Sequence, residues 1–316
     1  MKSKEILFSV VCPTFNRSKL LRRAINSVLR QQFRNFELII VNDGSTDDTK
    51  DVVKSYNDER IIYLEHEKNK GLNAAINTGF LIGKGKYITK LDDDDELSES
   101  ALQTAFDVYD KLPSSNIKIL FFNCVDAETK FVSGKYLQGE TIIKYEDLLC
   151  QKLRGDYWVV VERSILPHGR ILDEYSWGAM GVLWLRLLRD CDAYYLPQIV
   201  YYAYREHGTQ RLTNFEASRR NWQIHEHTTR LLLEEFGKDM KSNCPDIYSK
   251  QVAALAFCQL WNKNSRTARL NLIFSLERNF SIYASGLLLL TFFWNEKIIL
   301  LLYRLLFKSY FGRTLF

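Results

Sequence analysis

Four aspartates and a glutamate in a row, Asp92 to Glu96, close a short β-rich run that begins at Tyr87. Carboxylates this close repel one another and lose hydration at a buried strand end, so they must either stay in water or meet a cation. Two chemistries follow. The cluster can be a solvated turn leading into a helix from about Ser98, where acidic residues are ordinarily favoured. Alternatively, one or two of the carboxylates can hold a hard divalent cation whose other positions are filled by substrate phosphates and water.

The elements that would position these carboxylates alternate along the chain. Phe8 to Pro13 is a nearly all-apolar run, as in a strand buried on both faces of a parallel sheet. Thr14-Phe15-Asn16-Arg17 follows as a loop. Ser18 then caps a helix with apolar positions at Leu20, Leu21, Ala24, Ile25, Val28 and Leu29. A second buried strand, Phe36 to Val41, is broken by Asn42-Asp43-Gly44-Ser45, and Asp47 or Ser45 caps the next helix. Ile61 to Leu64 reads as a third strand. After Asn69-Lys70-Gly71 a helix runs to about Leu81 and stops at Gly83-Lys84-Gly85. The strand ending at Asp92 is the fourth.

This alternation predicts an α/β fold built from βαβ units, with a mostly parallel sheet and helices on its faces. Ligands of such sheets bind beyond the carboxyl ends of the strands. The polar clusters at Thr14–Asn16, Asn42–Asp43 and the aspartates all fall there, an arrangement suited to a nucleoside diphosphate. The sequence has neither a G-x-G-x-x-G after the first strand nor a G-x-x-x-x-G-K-[ST], which argues against a dinucleotide-dependent dehydrogenase and a P-loop enzyme.

The pieces Pro13-Thr14-Phe15-Asn16, Val41-Asn42-Asp43-Gly44-Ser45-Thr46-Asp47, Asn69-x-Gly71 with Ala75-x-Asn77-x-Gly79, and Gly85-x-Tyr87-Ile88 leading into Leu91-Asp92-Asp93-Asp94-Asp95 resemble glycosyltransferase family 2. The clear resemblance covers roughly residues 6 to 112 and a thinner one continues to about 213. It implies an inverting enzyme of the GT-A fold with a nucleotide-sugar donor. In that family the loop Pro13, Thr14, Phe15 and Asn16 would line the base, and Asp43 would accept the uracil N3–H. Lys70, Asp92 and Asp93 would join the nucleotide site. Asp92-x-Asp94 would be the DxD motif holding Mn2+ or Mg2+. The later segment Tyr202-Ala203-Tyr204-Arg205-Glu206-His207 resembles the family's Y-R-x-H. That places His207 on the metal or β-phosphate and Arg205 or Arg211 against phosphate charge; the alternative for a lone histidine is an ordinary surface residue.

One position departs from the pattern. The family carries an acidic pair before a Leu-Trp-Leu-Arg-type run, and its Asp is the general base. Here the run is Leu183-Trp184-Leu185-Arg186, but Ala179 and Met180 stand in the acidic register. A methionine takes no proton. Asp173 and Glu174 are the nearest substitutes; failing them, the protein is a catalytically weak or inactive sugar-nucleotide-binding module.

Composition sets the outer limits. The chain has 316 residues, with 46% hydrophobic and 26% charged, enough for about two domains with a real core. The expected division is a GT-A domain over 1–213 and a helical region over 214–316. The six cysteines form no CxxC pair, which reads as reduced core thiols of a cytosolic protein. The first strand begins within a few residues, with no secretory signal pattern before it. From Gln251 onward eight basic residues face two glutamates, a surplus of six, while the rest of the chain is one negative. Ile282 to Trp294 and Ile298 to Phe307 are apolar but each too short to span a bilayer. Basic residues interleave with their aromatics, so residues 282–316 read as a membrane-interfacial tail or, alternatively, a helix pair closing the core or a dimer face.

Taken together, the expected protein is a metal-dependent transferase at the inner face of the cell membrane. Its donor is a nucleotide sugar and its acceptor a saccharide, plausibly lipid-linked, in surface polysaccharide assembly. No nucleic-acid partner is expected.

Overall fold

The computed structural model describes residues 6–133, 137, 139–153, 155–167, 180–204 and 222–278, with Ser285 and Leu288. The chain divides into two compact units, residues 1–145 with 155–205, and residues 146–154 with 206–316.

The first unit is built on one sheet. Its leading strands are β1 (Phe8–Thr14), β2 (Phe36–Asn42), β3 (Ile61–Glu65) and β4 (Tyr87–Lys90). All seven residues of β1 and all seven of β2 are buried, in keeping with their largely apolar runs. Between them lie α1 (Ser18–Leu29), α2 (Thr49–Lys54) and α3 (Leu72–Ile82). Helix α1 buries Leu21, Ala24, Ile25, Ser27 and Val28, one stripe at helical spacing. Next come β5 (Glu96–Leu97), α4 (Ala101–Tyr109), β6 (Ile117–Asp126), β7 (Val132–Ser133), β8 (Thr141–Ile143), β9 (Tyr157–Glu162), α6 (Met180–Leu187) and β10 (Asp192–Ala203); between β8 and β9 the chain forms α5 (Tyr145–Leu149), which from residue 146 onward belongs to the second unit.

The sheet order is β3-β2-β1-β4-β9-β6-β10-β5, with β7 on β6 and β8 on β10. Strands β3, β2, β1 and β4 are mutually parallel, β9 runs antiparallel to both neighbours, and β10 is parallel to β6. The helix-flanked sheet is thus mixed: its leading four strands form the parallel run that the alternation predicts, and antiparallel pairings enter from β9 onward. A core of Phe8, Val10, Leu21, Leu38, Leu91, Leu102, Phe122, Trp158 and Val200 lies on one face. On the other, Gly79 of α3 packs so closely on β1 that a Cβ would fall inside the Val11 side chain.

Three local readings change. Ser18 is the first residue of α1 rather than its cap; its N–H donates to Asp47 Oδ2 (3.0 Å), a carboxylate from the loop after β2. The same Asp47, through Oδ1, accepts the Thr49 N–H (3.1 Å), so one side chain serves two helix starts. The acidic run does not lead straight into a helix: Glu96–Leu97 pairs antiparallel with Tyr201–Tyr202, and the helix waits until Ala101. Cys150 and Cys244 form a disulfide, against the expectation of six reduced thiols, while Cys12, Cys124, Cys191 and Cys258 are buried and free. The pair is 94 residues apart in sequence and only packing sets the Cα atoms 5.5 Å apart, so spacing could not reveal it.

The second unit is helical, with α7 (Trp222–Asn243), α8 (Pro245–Trp261) and α9 (Ser265–Arg278). Its core gathers Trp222, Phe257, Cys258, Leu260, Ala268 and Leu272, with the Trp222 and Trp261 rings stacked at 5.6 Å. Among the described residues no helix is long and apolar enough to cross a membrane. The tail expected over 282–316 lies outside the described residues, apart from Ser285 and Leu288.

Gly79→Ala should destabilise the protein by about 1–3 kcal/mol, although alanine is the better helix former, because the added methyl overpacks Val11. Urea unfolding monitored by circular dichroism measures this; an unchanged midpoint would contradict the α3–β1 packing.

Candidate active site

The loop after β4 collects five carboxylates, and separate elements reach in to meet them. Lys90 Nζ lies 2.5 Å from Asp92 Oδ1. Burial opposes the charge of Asp92, yet the Lys90 ammonium holds its carboxyl below the usual carboxylate range. Thr14 Oγ1, at the end of β1, donates to Asp93 Oδ2 (2.7 Å). Arg17, just beyond, places Nη1 3.1 Å from Asp93 Oδ1 and 2.9 Å from Asp94 Oδ2. Arg23 Nη1 donates to the Asp94 carbonyl (3.2 Å), and its guanidinium lies over the Tyr204 ring at 3.8 Å. Arg30 pairs with Glu96 at 2.8 Å.

Asp95 is served differently. Its carboxylate accepts the Tyr201 hydroxyl (2.6 Å) and the Tyr204 N–H (2.9 Å), both from β10 and the residue after it. Neutral donors cannot offset its charge as a cation would. Burial, with Asp92 and Asp94 nearby, pushes Asp95 up to about 7. Burial and the neighbouring aspartates likewise raise Asp93 to about 6, against Arg17 and Thr14.

The acidic loop is tied to the rest of the carboxyl edge. Asn16, at φ 52°, accepts the Thr46 N–H on Oδ1 (2.7 Å) and donates its own N–H to Ser45 Oγ (2.9 Å). Phe15 beside it is 41% exposed, a large apolar ring left open at the strand end. Asn42 Oδ1 accepts the Ser45 N–H (2.9 Å). Asp43 is buried, and its carboxylate accepts the N–H groups of Lys70 (2.9 Å) and Gly71 (2.8 Å) and faces His66 Nδ1 (2.7 Å). Gly71 has φ 93°, the left-handed region where glycine is at ease.

The structure therefore brings Pro13, Thr14, Phe15, Asn16, Asp43, Lys70, Asp92, Asp93 and Asp94 to one edge. Pro13 is buried within β1, Lys70 approaches Asp43 through its backbone N–H, and Asp93 has both oxygens engaged by Thr14 and Arg17. Asp173, Glu174, Arg205, His207 and Arg211 lie outside the described residues. Met180 opens α6, so no carboxylate stands at that register. Sequence reasoning missed Arg17, His66 and Tyr201. Arg17 directly follows the Pro13–Asn16 loop and His66 the third strand; both were legible as polar residues at carboxyl ends. Tyr201, in a run of aromatics, carried no such signal.

A divalent cation fits this edge. Asp92 and Asp94 are partly exposed, two residues apart, and each offers a carboxylate. Among the described residues no group of three or more His, Cys, Asp or Glu side chains is arranged to hold a metal by itself, so any further ligands would come from elsewhere. Burial is the first cause of the raised Asp93 and Asp95, with the neighbouring aspartates adding to it.

Sheet order and acidic loop define an α/β protein of the GT-A type. The glycosyl transferase family 2 model matches residues 9–154. A GalNAc(5)-diNAcBac-PP-undecaprenol beta-1,3-glucosyltransferase of Campylobacter jejuni is 36% identical over 193 residues, covering 59% of this chain and 61% of that protein. The Escherichia coli UDP-Glc:alpha-D-GlcNAc-diphosphoundecaprenol beta-1,3-glucosyltransferase WfgD is 30% identical over 191 residues, 59% of this chain and 71% of WfgD. Staphylococcus aureus TarS 1–349, solved with UDP-GlcNAc, superposes with a TM-score of 0.65 at 16% identity, over 95% of this chain and 92% of TarS 1–349. The chain belongs to glycosyltransferase family 2.

The raised carboxyls have a consequence for stability. Between about pH 4, where an unfolded aspartate has lost its proton, and pH 7, the folded chain retains protons at Asp93 and Asp95. That contribution is whole below about pH 4 and is lost as pH rises through about 6 and 7. In metal-free buffer, Asp95→Asn should therefore raise the melting temperature more at pH 8 than at pH 5, since Asn can still accept from Tyr204 and can donate to Tyr201. Equal shifts at both pH values in scanning calorimetry would contradict the buried-charge assignment.

Proposed function

We propose that this chain is an inverting glycosyltransferase that moves a sugar from a nucleoside-diphosphate sugar, with uridine as the base, to an acceptor hydroxyl. The observation that carries the reading is the continuous run of contacts along the sheet edge. It leads from Asp94 through Arg17, Thr14 and Asn16 to the Ser45–Thr46 turn and Asp43. One end carries carboxylates suited to a metal and the other a buried carboxylate suited to a base N–H.

In this reading Asp43 accepts the base N–H and Phe15 covers the base. Asp92 and Asp94 would hold Mn2+ or Mg2+, with His207 completing the shell. Bound there, the cation would neutralise charge growing on the diphosphate as the glycosidic bond breaks. Lys70 and Asp93 belong to the nucleotide side, and Arg205 and Arg211 would meet phosphate charge. Asp173 or Glu174 would take the acceptor proton that Met180 cannot.

The Campylobacter protein and WfgD are glucosyltransferases whose substrates include undecaprenol-linked saccharides. The proposed acceptor here is accordingly a lipid-linked saccharide, in surface polysaccharide assembly, met at the inner face of a membrane. The proposed division is a transferase domain to residue 213 and a helical region beyond, whose last thirty-odd residues rest on anionic lipid. A second reading, a sugar-nucleotide-binding module with weak or no turnover, is favoured by Met180 alone.

Three experiments test this reading. UDP and UDP-glucose titrated with and without Mn2+ should bind, and Asp94→Ala should abolish metal-dependent turnover with the fold intact; full turnover in excess EDTA would sink the metal assignment. Asp43→Ala should weaken UDP binding by roughly 1–3 kcal/mol, the scale of a lost charge-assisted hydrogen bond. Binding without turnover across acceptors would leave the second reading. Sedimentation with phosphatidylglycerol vesicles tests the tail, and a full-length chain that stays in the supernatant contradicts it.

A further inference from the structure

His66 stands one residue beyond β3 and joins three separate pieces of the carboxyl edge. Its backbone N–H donates to the Asn42 carbonyl (2.9 Å) at the end of β2. Its ring lies between Asp43, 2.7 Å from Nδ1, and Thr78 of α3, 2.9 Å from Nε2. The side chains of His66 and Asp43 are only 9% and 4% exposed, so solvent does little to satisfy either.

The donors can be assigned from the network. Thr78 spends its one hydroxyl proton on the Ala74 carbonyl (2.9 Å), so towards His66 it presents an acceptor. Asp43 already receives the Lys70 and Gly71 N–H groups, so it too is an acceptor, a carboxylate. The ring meets that carboxylate by donating from Nδ1, with Thr78 Oγ1 as the partner of Nε2. Of the four lone-pair positions on Asp43, Oδ1 spends two on Lys70 and His66 and Oδ2 spends one on Gly71. One position on Oδ2 is left.

The surroundings make this arrangement rigid. Gly44 (φ 73°) lies so close to the backbone of Lys68 and Asn69 that a Cβ would sit 2.6 Å from the Lys68 carbonyl carbon. The 66–71 segment is therefore pressed directly onto the Asp43–Gly44 turn. Removing the ring would free Asp43 to rotate and would return a second lone pair to Oδ1.

Resting on the uridine reading above, we propose that His66 is the positioning residue of the base site. It fixes the Asp43 carboxylate with a single acceptor left over, and so sets a preference for a base that presents an imide N–H, as uracil does. Cytosine presents a bare ring nitrogen at that place, which meets the carboxylate lone pair to lone pair.

The test uses the full chain, with UDP and CDP titrated calorimetrically onto wild type, His66→Leu and His66→Asn, the fold checked by circular dichroism. Wild type should prefer UDP to CDP. His66→Leu should lose roughly ten- to a hundredfold in UDP affinity, the scale of a lost charge-assisted hydrogen bond, and with it the preference for UDP. His66→Asn, which keeps an N–H towards Asp43, should recover most of both. A folded His66→Leu with wild-type affinity and preference would overturn the proposal. So would an Asn variant no better than Leu. Should His66→Leu fail to fold, Thr78→Val removes the acceptor behind the ring, and a wild-type preference in that variant would be equally fatal. A wild type that binds no UDP would defeat the reading of the preceding subsection and this one with it, whereas UDP binding indifferent to His66 defeats this one alone.

Discussion

Crowding of negative charge at the end of β4 is the constraint on which the rest of the first unit depends. Five successive carboxylates cannot share a half-buried loop without partners, and no single neighbouring element could supply them all. Lys90 comes from β4 itself, Arg17 and Thr14 from the end of β1, Arg30 from the end of α1, and Tyr201 and Tyr204 from β10 and just after it. Each contact pins one element's end to the same point. The acidic loop thus works as the knot of the carboxyl edge, and burial there keeps Asp93 and Asp95 above the usual carboxylate range.

Much of this was legible in the residues because the signals are local. Largely apolar runs marked β1 and β2, and the alternation of runs with helical stripes marked the parallel part of the sheet. What stayed hidden was non-local. The two-residue strand Glu96–Leu97 exists only because β10 returns beside it, with about a hundred residues between partners. No propensity argument reaches across that distance. The same holds for Asp47 capping α1 from another loop, and for Cys150 finding Cys244.

At the site the pattern repeats. Asp92, Asp94 and Asp43 declared themselves by type and position, since carboxylates at strand ends need explaining. The side chains that hold them, Arg17, His66 and Tyr201, are ordinary in sequence and acquire meaning only from what they touch. Asp43 shows the difference well. Its type says only that it can accept hydrogen bonds; its three filled positions say how many it has left to give.

The position of β9 has a bearing on how this architecture can be cut or exchanged. The segment that carries the family likeness ends at residue 154, yet β9 (Tyr157–Glu162) lies between β4 and β6 and is their bridge. A fragment stopping at 154 would hold two pieces of sheet with facing open edges and nothing to join them, a form prone to pairing with other chains. During synthesis β6 must likewise wait for β9 before it is anchored to the parallel strands, so the latter half of the unit cannot close while the first is emerging. Recombination between relatives within this segment would have to preserve a strand that the shared motif does not contain.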